Sequence, residues 1–480
     1  MPPPRRRGTG LGKNRPHRHR AWPCRKLLLP LRKQNQARTR ARNPAATGRL
    51  PHHPHLHMRV LLINTSENIG GAAIAANRLL QALTRNGVEA TLLVRDLQEG
   101  RDGVAGLPGR LWPRAAFLME RGEVFVRNGF SRHNLFAIDP ATRGTDVTRL
   151  PEFRSADVIH LHWTNQGMLS LGGLRRILRS GKPVVWTMHD MWPFTGVCHQ
   201  AGSCEAWLTG CGNCPLLHRP AANDLSAQTY RRKARAYADG HLTLVGCSRW
   251  LAGLARRAPL LEGHTVASIP NPLDTSLYAP GDRDAARRRL GLPADKRIVL
   301  FVAYKVTDPN KGIGYLREAI ARLCDAHPGR RGQIAVAAVG REAEKLCGTF
   351  ATTVCAKEYV SDTATMIDYY RAADVLAMPT LMDNLPNTIA EAMACGTPCV
   401  GFDTGGLPQM IDHGTNGLLI PYRDADALAR GLESALFDPA CADFPRQARD
   451  KAVQAYSEQS VAGLYTELYR TALQQTSSHS

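Results

Sequence analysis

A chain of 480 residues is longer than one hydrophobic core usually holds, so two or three domains are expected. Its hydrophobic fraction of 43% and charged fraction of 21% exclude a collagenous or wholly disordered protein. The formal charge of +21 is unusual, and its placement decides what it means. Residues 1–57 hold 15 Lys and Arg with no Asp or Glu, which leaves 47 basic and 41 acidic residues in 58–480. The basicity therefore sits in a tail rich in Arg, Pro and His, too polar to offset the entropy of ordering and expected to be disordered. Such a tail could bind nucleic acid or anionic lipid through its charge. Its apolar stretch, Leu27 to Leu31 interrupted by Pro30, is too short for a signal peptide. Met58 stands directly before an apolar strand, RVLLIN, so a mis-called start with Met58 as initiator is the favoured reading. No function is assigned to the tail. No run of about 18 apolar residues occurs, so no transmembrane helix is expected. The twelve cysteines do not form a small secreted scaffold, and a cytoplasmic chain with free thiols is expected.

From Met58 onward, short β-rich runs alternate with amphipathic helical stretches. Strands are expected at Arg59–Asn64, Ala90–Val94, Val158–His162, Pro183–Met188 and Leu242–Cys247, with a helix from Ala72 to Arg85 stopped by Gly87. The pattern restarts with strands at Arg297–Ala303, Ile334–Val339, Val375–Pro379, Cys399–Phe402 and Gly417–Ile420. This alternation predicts an α/β chain of two doubly wound, Rossmann-like parallel sheets. The domains are set at 58–280 and 281–450, with Pro270–Asp295 as linker and a C-terminal helix, 451–480, crossing back toward the first domain. Two such domains in series place a ligand cleft at the carboxyl ends of both sheets.

Several segments carry candidate chemistry. Gly70 and Gly71 open the first helix after strand one, where backbone amides can approach an anion; a tight turn requiring glycine is the plain alternative. The segment is not GxGxxG, which disfavours a dinucleotide oxidoreductase. His160 and His162 in DVIHLHW and His189 in VVWTMHD end two expected parallel strands, and His189 is the stronger cleft candidate. Cys198, Cys204, Cys211 and Cys214 form C-x5-C-x6-C-x2-C in a glycine-rich loop, readable as a structural zinc site or as free or redox-paired thiols. Lys311 follows a strand and precedes a helix, where its ammonium could meet a phosphate or simply be solvated. Asp383 and Glu391 stand eight apart, Glu391 at the start of a short helical stretch closed by Gly396. Paired acids of this kind can accept hydrogen bonds from sugar or ribose hydroxyls, or one of them can cap the helix. Gly405 and Gly406, in Asp403-Thr-Gly-Gly-Leu-Pro, make a second glycine-rich junction that could face the same phosphates.

In the order INTSENIGGAAIAANRL, HLHW, WTMHDMWPFTGVCH with its CGNCP loop, GCSRW, IPNPLD, DPNKG and DNLPNTIAEAMACGTPCVGFDTGGLP, the chain from Met58 to about residue 474 resembles the retaining glycosyltransferases of family 4. Within that family it is most similar to the exopolysaccharide subgroup that includes putative colanic acid transferases. The resemblance implies a GT-B fold, in which two Rossmann-like domains face each other across a cleft, and a hexosyltransferase that uses a nucleotide-sugar donor. It implies that Glu391 holds the ribose hydroxyls and Asp383 lies near the donor sugar. Gly70 and Gly71 would approach the diphosphate, Lys311 would neutralise it as it leaves, and His189 would contact the transferred sugar. The loop holding Gly405 and Gly406 would close over the phosphates. No catalytic cofactor is implied, because retention would rely on the leaving phosphate to help deprotonate the acceptor. Two departures stand out: the first acid is Asp, not Glu, and the phosphate-clamping Arg is replaced by Lys305 in FVAYK. The implied acceptor is a glycan or a lipid-linked glycan, so peripheral contact with the inner face of the plasma membrane is expected. Trp250–Leu254 with Arg256 and Arg257 is the candidate membrane segment. The competing readings are a sugar-nucleotide epimerase of the same fold, a zinc-dependent scaffold, and a basic nucleic-acid-binding protein resting on residues 1–57; no nucleic-acid partner is expected of 58–480.

Overall fold

Alternation of apolar β-branched runs with amphipathic helices resolves into two parallel sheets in the computed structural model, which describes residues 58–477 apart from 110. The expectations for residues 1–57 lie outside the described residues. The first sheet contains β1 (Arg59–Ser66), β2 (Glu89–Asp96), β3 (Val104–Gly106), β4 (Val158–Leu161), β5 (Val184–Met188), β6 (Leu242–Gly246) and β7 (Thr265–Ser268), in the order β3-β2-β1-β4-β5-β6-β7. The second contains β8 (Arg297–Lys305), β9 (Ile334–Arg341), β10 (Thr353–Lys357), β11 (Val375–Met378), β12 (Cys399–Phe402) and β13 (Gly417–Ile420), in the order β10-β9-β8-β11-β12-β13. Neighbouring strands are parallel throughout, with Leu61 opposite both Thr91 and Ile159 in the first sheet. The central strands are buried on both faces, which is why they read as continuous apolar runs. The strand order reverses between β1 and β4 and again between β8 and β11. These switch points open crevices at the carboxyl ends of the strands, where the loops holding His162, His189, Lys311 and Asp383 emerge.

Three strands escape sequence reading: β3, β7 and β10 are edge strands, partly exposed and short, so their apolar pattern is weak. Helix α1 (Gly71–Arg85) buries Leu79, Leu80 and Leu83 as expected; Asn86 caps it and Gly87 follows at φ 81°. Pro270–Asp295 is more than a linker. It contains the helix Arg283–Leu290, whose Arg287 is buried and donates to Asp374 at 2.7 Å, so this segment belongs to the second domain. The final helix, Glu458–Ser477, packs Val461, Tyr465 and Tyr469 into one core with Leu79 and Leu83 of α1. Its tyrosines are fixed by hydrogen bonds: Tyr469 with His160 at 2.7 Å and Tyr465 with Thr187 at 2.8 Å. Among the described residues no helix is long and apolar enough to cross a membrane.

Candidate active site

The turn that carries Lys311 is held against the strand end that carries Asp383. Gly312 makes this approach possible: at φ 76° a side chain there would begin 1.8 Å from the Pro379 carbonyl. The Asn310 carbonyl accepts from Leu381 N–H at 2.8 Å and from the Thr380 hydroxyl at 3.2 Å. Lys311 Nζ consequently lies 2.7 Å from Asp383 Oδ2, with both side chains partly open to solvent. Two residues singled out separately in the sequence thus form one ion pair at the carboxyl edge of the second sheet.

The next residue ties this edge to the first domain. Asn384 donates to the His189 carbonyl at 3.1 Å, and its side chain also meets Ser248 at the start of the helix Arg249–Arg257. Gly405 and Gly406 have a packing role that limits the one expected of them. A side chain at Gly405 would begin 2.0 Å from the Asp383 carbonyl, and one at Gly406 would begin 1.6 Å from that of Asn384. The Gly406 amide already donates to the Asp383 carbonyl at 3.1 Å, so it positions the acid loop and is not free for phosphate. Gly70 and Gly71 differ: no atom lies within 4 Å of where a side chain would start at either, and Gly70 has φ 93°. An open, left-handed glycine at a helix N-terminus suits close approach of an anion.

Glu391 is not at the start of its helix. The helix spans Asn387–Ala394, its cap position is Pro386, and neither Asp383 nor Glu391 caps it. Glu391 is buried, with Oε2 accepting from Tyr370 at 2.6 Å and Oε1 accepting from Arg78 of α1 at 2.7 Å. Arg78 also donates to the Tyr278 hydroxyl at 3.0 Å and lies over its ring. The carboxylate expected to take ribose hydroxyls is therefore engaged by a cation from the opposite domain. Sequence reading missed Arg78, Tyr278 and Tyr370, since none lies near Glu391 in the chain.

The three histidines separate in role. His160 is fully buried between Tyr469 and Thr187 and belongs to the core. His162 and His189 stack, with His162 Nδ1 3.0 Å from His189 Nε2, and His189 keeps a partly exposed edge. Burial lowers the pKa of His189 to about 4 against the opposing pull of Asp190, so the ring is neutral near pH 7. Burial and the neighbouring imidazoles hold His162 well below the usual range too. Asp190 accepts from Trp163 Nε1 at 2.9 Å, His199 Nδ1 at 2.7 Å and the Trp192 amide at 2.9 Å. Burial opposes its charge, but His199 and these donors prevail and lower its pKa. With these bonds in place Asp190 orients the loop and is poorly placed to act as a nucleophile.

Three further sets of sequence candidates have defined surroundings. Lys305 turns away to Glu342 at 3.1 Å and is half-exposed, while Arg341, its register partner on β9, lies over the Tyr304 ring at 4.6 Å. A guanidinium does stand beside this strand end, supplied by the adjacent strand. Cys198, Cys204, Cys211 and Cys214 line one pocket of about 20 Å³, yet among the described residues no group of three or more His, Cys, Asp or Glu is arranged to hold a metal ion. Burial raises the Cys198 thiol to about 12 and the Cys211 thiol to about 11. Trp250 and Leu254 pack against the first-domain core, so Trp250–Leu254 is not a free membrane face.

The family model for "Glycosyltransferase Family 4" matches residues 69–277, and that for "Glycosyl transferases group 1" matches residues 296–438. A D-inositol 3-phosphate glycosyltransferase of Acidothermus cellulolyticus is 30% identical over 335 residues, covering 66% of this chain and 67% of that protein. The chain belongs to the family 4 glycosyltransferases. A second relative, the D-inositol 3-phosphate glycosyltransferase of Kribbella flavida, is 30% identical over 216 residues, 42% of this chain and half of its own length. Among solved structures, this glycosyltransferase shares its fold with sucrose-phosphate synthase from Thermosynechococcus elongatus (TM-score 0.59, 20% identity, 86% of this chain and 98% of that one). It shares it also with Anabaena HepE in complex with UDP and glucose (TM-score 0.57, 16% identity, 86% and 100%). The two-sheet architecture of the glycosyltransferase is the GT-B fold.

Proposed function

We propose that this glycosyltransferase moves a sugar from a nucleoside-diphosphate sugar to a hydroxyl of a glycan or lipid-linked glycan, with retention at the anomeric carbon. The observation that carries the reading is the Lys311–Asp383 pair, 2.7 Å apart at the cleft edge and anchored to the His189 loop through Asn384. Breaking a glycosidic phosphate bond develops positive charge on the sugar ring and negative charge on the departing diphosphate. A fixed ammonium and carboxylate side by side match that charge separation without reorganising. Lys311 would take the diphosphate, Asp383 would face the sugar, and the neutral His189 would hold a sugar hydroxyl. Gly70 and Gly71 would admit the phosphates to the N-terminus of α1. The departing phosphate oxygen, on the same face as the incoming hydroxyl, would accept its proton, which accounts for retention without a protein nucleophile. Lys311 would supply the cationic charge at the leaving group, so turnover should not depend on added metal.

Support for the donor class comes from the family and from the UDP and glucose held by the HepE fold neighbour. The acceptor rests on the exopolysaccharide resemblance. An inositol phosphate acceptor is the second reading, favoured by the names of the curated relatives. Action at the cytoplasmic face of the inner membrane follows from a lipid-linked acceptor. A thermal-shift panel of UDP-, GDP- and ADP-sugars tests the donor, because a ligand that binds only the folded chain raises its melting temperature. NMR of the product, with inositol phosphate and membrane-extracted glycolipid as rival acceptors, then tests linkage and acceptor. No stabilisation by any nucleotide sugar, or an inverted anomeric centre, would refute the proposal.

A further inference from the structure

Helix α2 (Leu111–Arg127) buries Pro113, Ala116 and Val124 together with a charged pair. It buries Glu120 and Arg121 as an ion pair 3.1 Å apart, with Arg121 donating to the carbonyls of Leu135 at 2.7 Å and Ile138 at 3.0 Å, and Glu120 accepting from the Thr142 amide at 2.9 Å. Five of its large apolar side chains face solvent: Leu111 is 85% exposed, Leu118 65% and Val126 52%, and Trp112 and Met119 are exposed as well. At about 100° per residue these five fall within an arc of about 120°. Exposed Arg114 borders that arc on one side; Arg127, on the other, is held by Glu123 and Gln228. Just beyond the helix, Phe130 is 70% exposed and packs edge-on against Phe125, with exposed Arg132 and Arg219 nearby. Between 111 and 136 the only acids are Glu120, which is buried, and Glu123, which is held by Arg127 and by the Thr142 hydroxyl.

We infer that this face of α2 docks on an anionic lipid surface, the helix lying in the plane of the interface. Leu111, Trp112, Leu118, Met119 and Val126 enter the acyl boundary, while Arg114, Arg132 and Arg219 reach the lipid phosphates. An apolar strip flanked by arginines and free of unpaired acid is what an interfacial helix needs, the guanidinium stems covering apolar surface while their heads stay at the phosphates. A second copy of the chain is a poorer occupant, because a two-fold contact would set these arginines against each other. The surface lies outside the groups assigned to transfer, so the inference stands or falls apart from the proposed chemistry.

Vesicle sedimentation of the full chain tests it. Roughly 3:1 phosphatidylcholine:phosphatidylglycerol vesicles should pellet the protein, and phosphatidylcholine alone should pellet little. Leu118→Ser/Val126→Ser, at positions already exposed, should weaken partitioning about 10-fold, and Arg114→Gln/Arg132→Gln should flatten its salt dependence. An unchanged melting curve confirms that each variant is folded. Absence of pelleting, equal pelleting by both vesicle types, or undiminished pelleting of Leu118→Ser/Val126→Ser would each overturn the inference; the last would assign binding to residues 1–57. So would a wild-type dimer that this variant abolishes, since the face would then be a contact between copies.

Discussion

Arg78 donates to Oε1 of Glu391 at 2.7 Å and so ties α1 of the first domain to the helix Asn387–Ala394 of the second. Both side chains are largely shielded from water, and Tyr278 and Tyr370 complete the cluster. A shielded pair contributes little beyond what its own desolvation costs, yet removing one partner strands the other. Arg78→Met is therefore expected to destabilise the chain by about 3 kcal/mol, and Arg78→Met/Glu391→Gln to recover part of that loss. Urea denaturation of the wild type, the two single variants and the double closes the cycle. Additive losses would show that the two side chains do not interact.

Lys311→Ala removes the ammonium paired with Asp383. Turnover should fall about 10²-fold or more, the scale of losing one preorganised charge contact, with a smaller change in donor KM. Steady-state transfer assays decide it, and near wild-type turnover would remove Lys311 from the leaving-group role.

His160, His162 and His189 are held neutral in the fold, His160 at about 3 and His189 at about 4, chiefly by burial. An unfolded histidine titrates near pH 6.5, roughly, so between these values the unfolded chain binds more protons than the folded one. Stability is then full above about pH 6.5 and declines as pH falls from there toward 4. Melting temperatures from pH 7.5 to 4.5 should follow that slope, and His160→Gln should flatten it. An acid limb of equal steepness in the variant would refute the assignment.

Lys233 is fully buried, its ammonium 3.0 Å from the Thr195 carbonyl, also bonded to the Trp192 carbonyl and seated 3.4 Å over the Trp192 ring. Lys233→Met would leave the Thr195 carbonyl without this donor and the Trp192 carbonyl with the Thr195 amide at 3.4 Å, at a cost of about 2–4 kcal/mol. A urea midpoint equal to that of the wild type would show that water or a neighbour takes over the role.

Gly406→Ala places a methyl 1.6 Å from the Asn384 carbonyl. The Asp383 loop must then move, so activity should drop more than melting temperature does. Unchanged kcat with lowered stability would mean that the loop position is immaterial to chemistry.

The family and the two-sheet fold were legible because both are written locally. A strand buried on both faces reads as an unbroken apolar run, as in RVLLIN, and the paired glycines that follow, Gly70 and Gly71, mark the turn into a helix. Lys311, Asp383 and His189 were singled out the same way, each following a strand, and Glu391 by its spacing from Asp383. What they touch was not legible. Arg78 is 313 residues from Glu391, and Tyr469 is 309 from His160. No spacing rule connects such positions, since they meet only after both sheets have closed and the last helix has packed on α1. Gly405 and Gly406 looked like phosphate amides because a sequence shows that a side chain is missing but not what fills the space; here it is the backbone of Asp383 and Asn384. The exposed apolar arc of α2 has the same origin. Periodicity places Leu111, Leu118 and Val126 on one face, but only the packing of Glu120 and Arg121 decides that this face is the outer one.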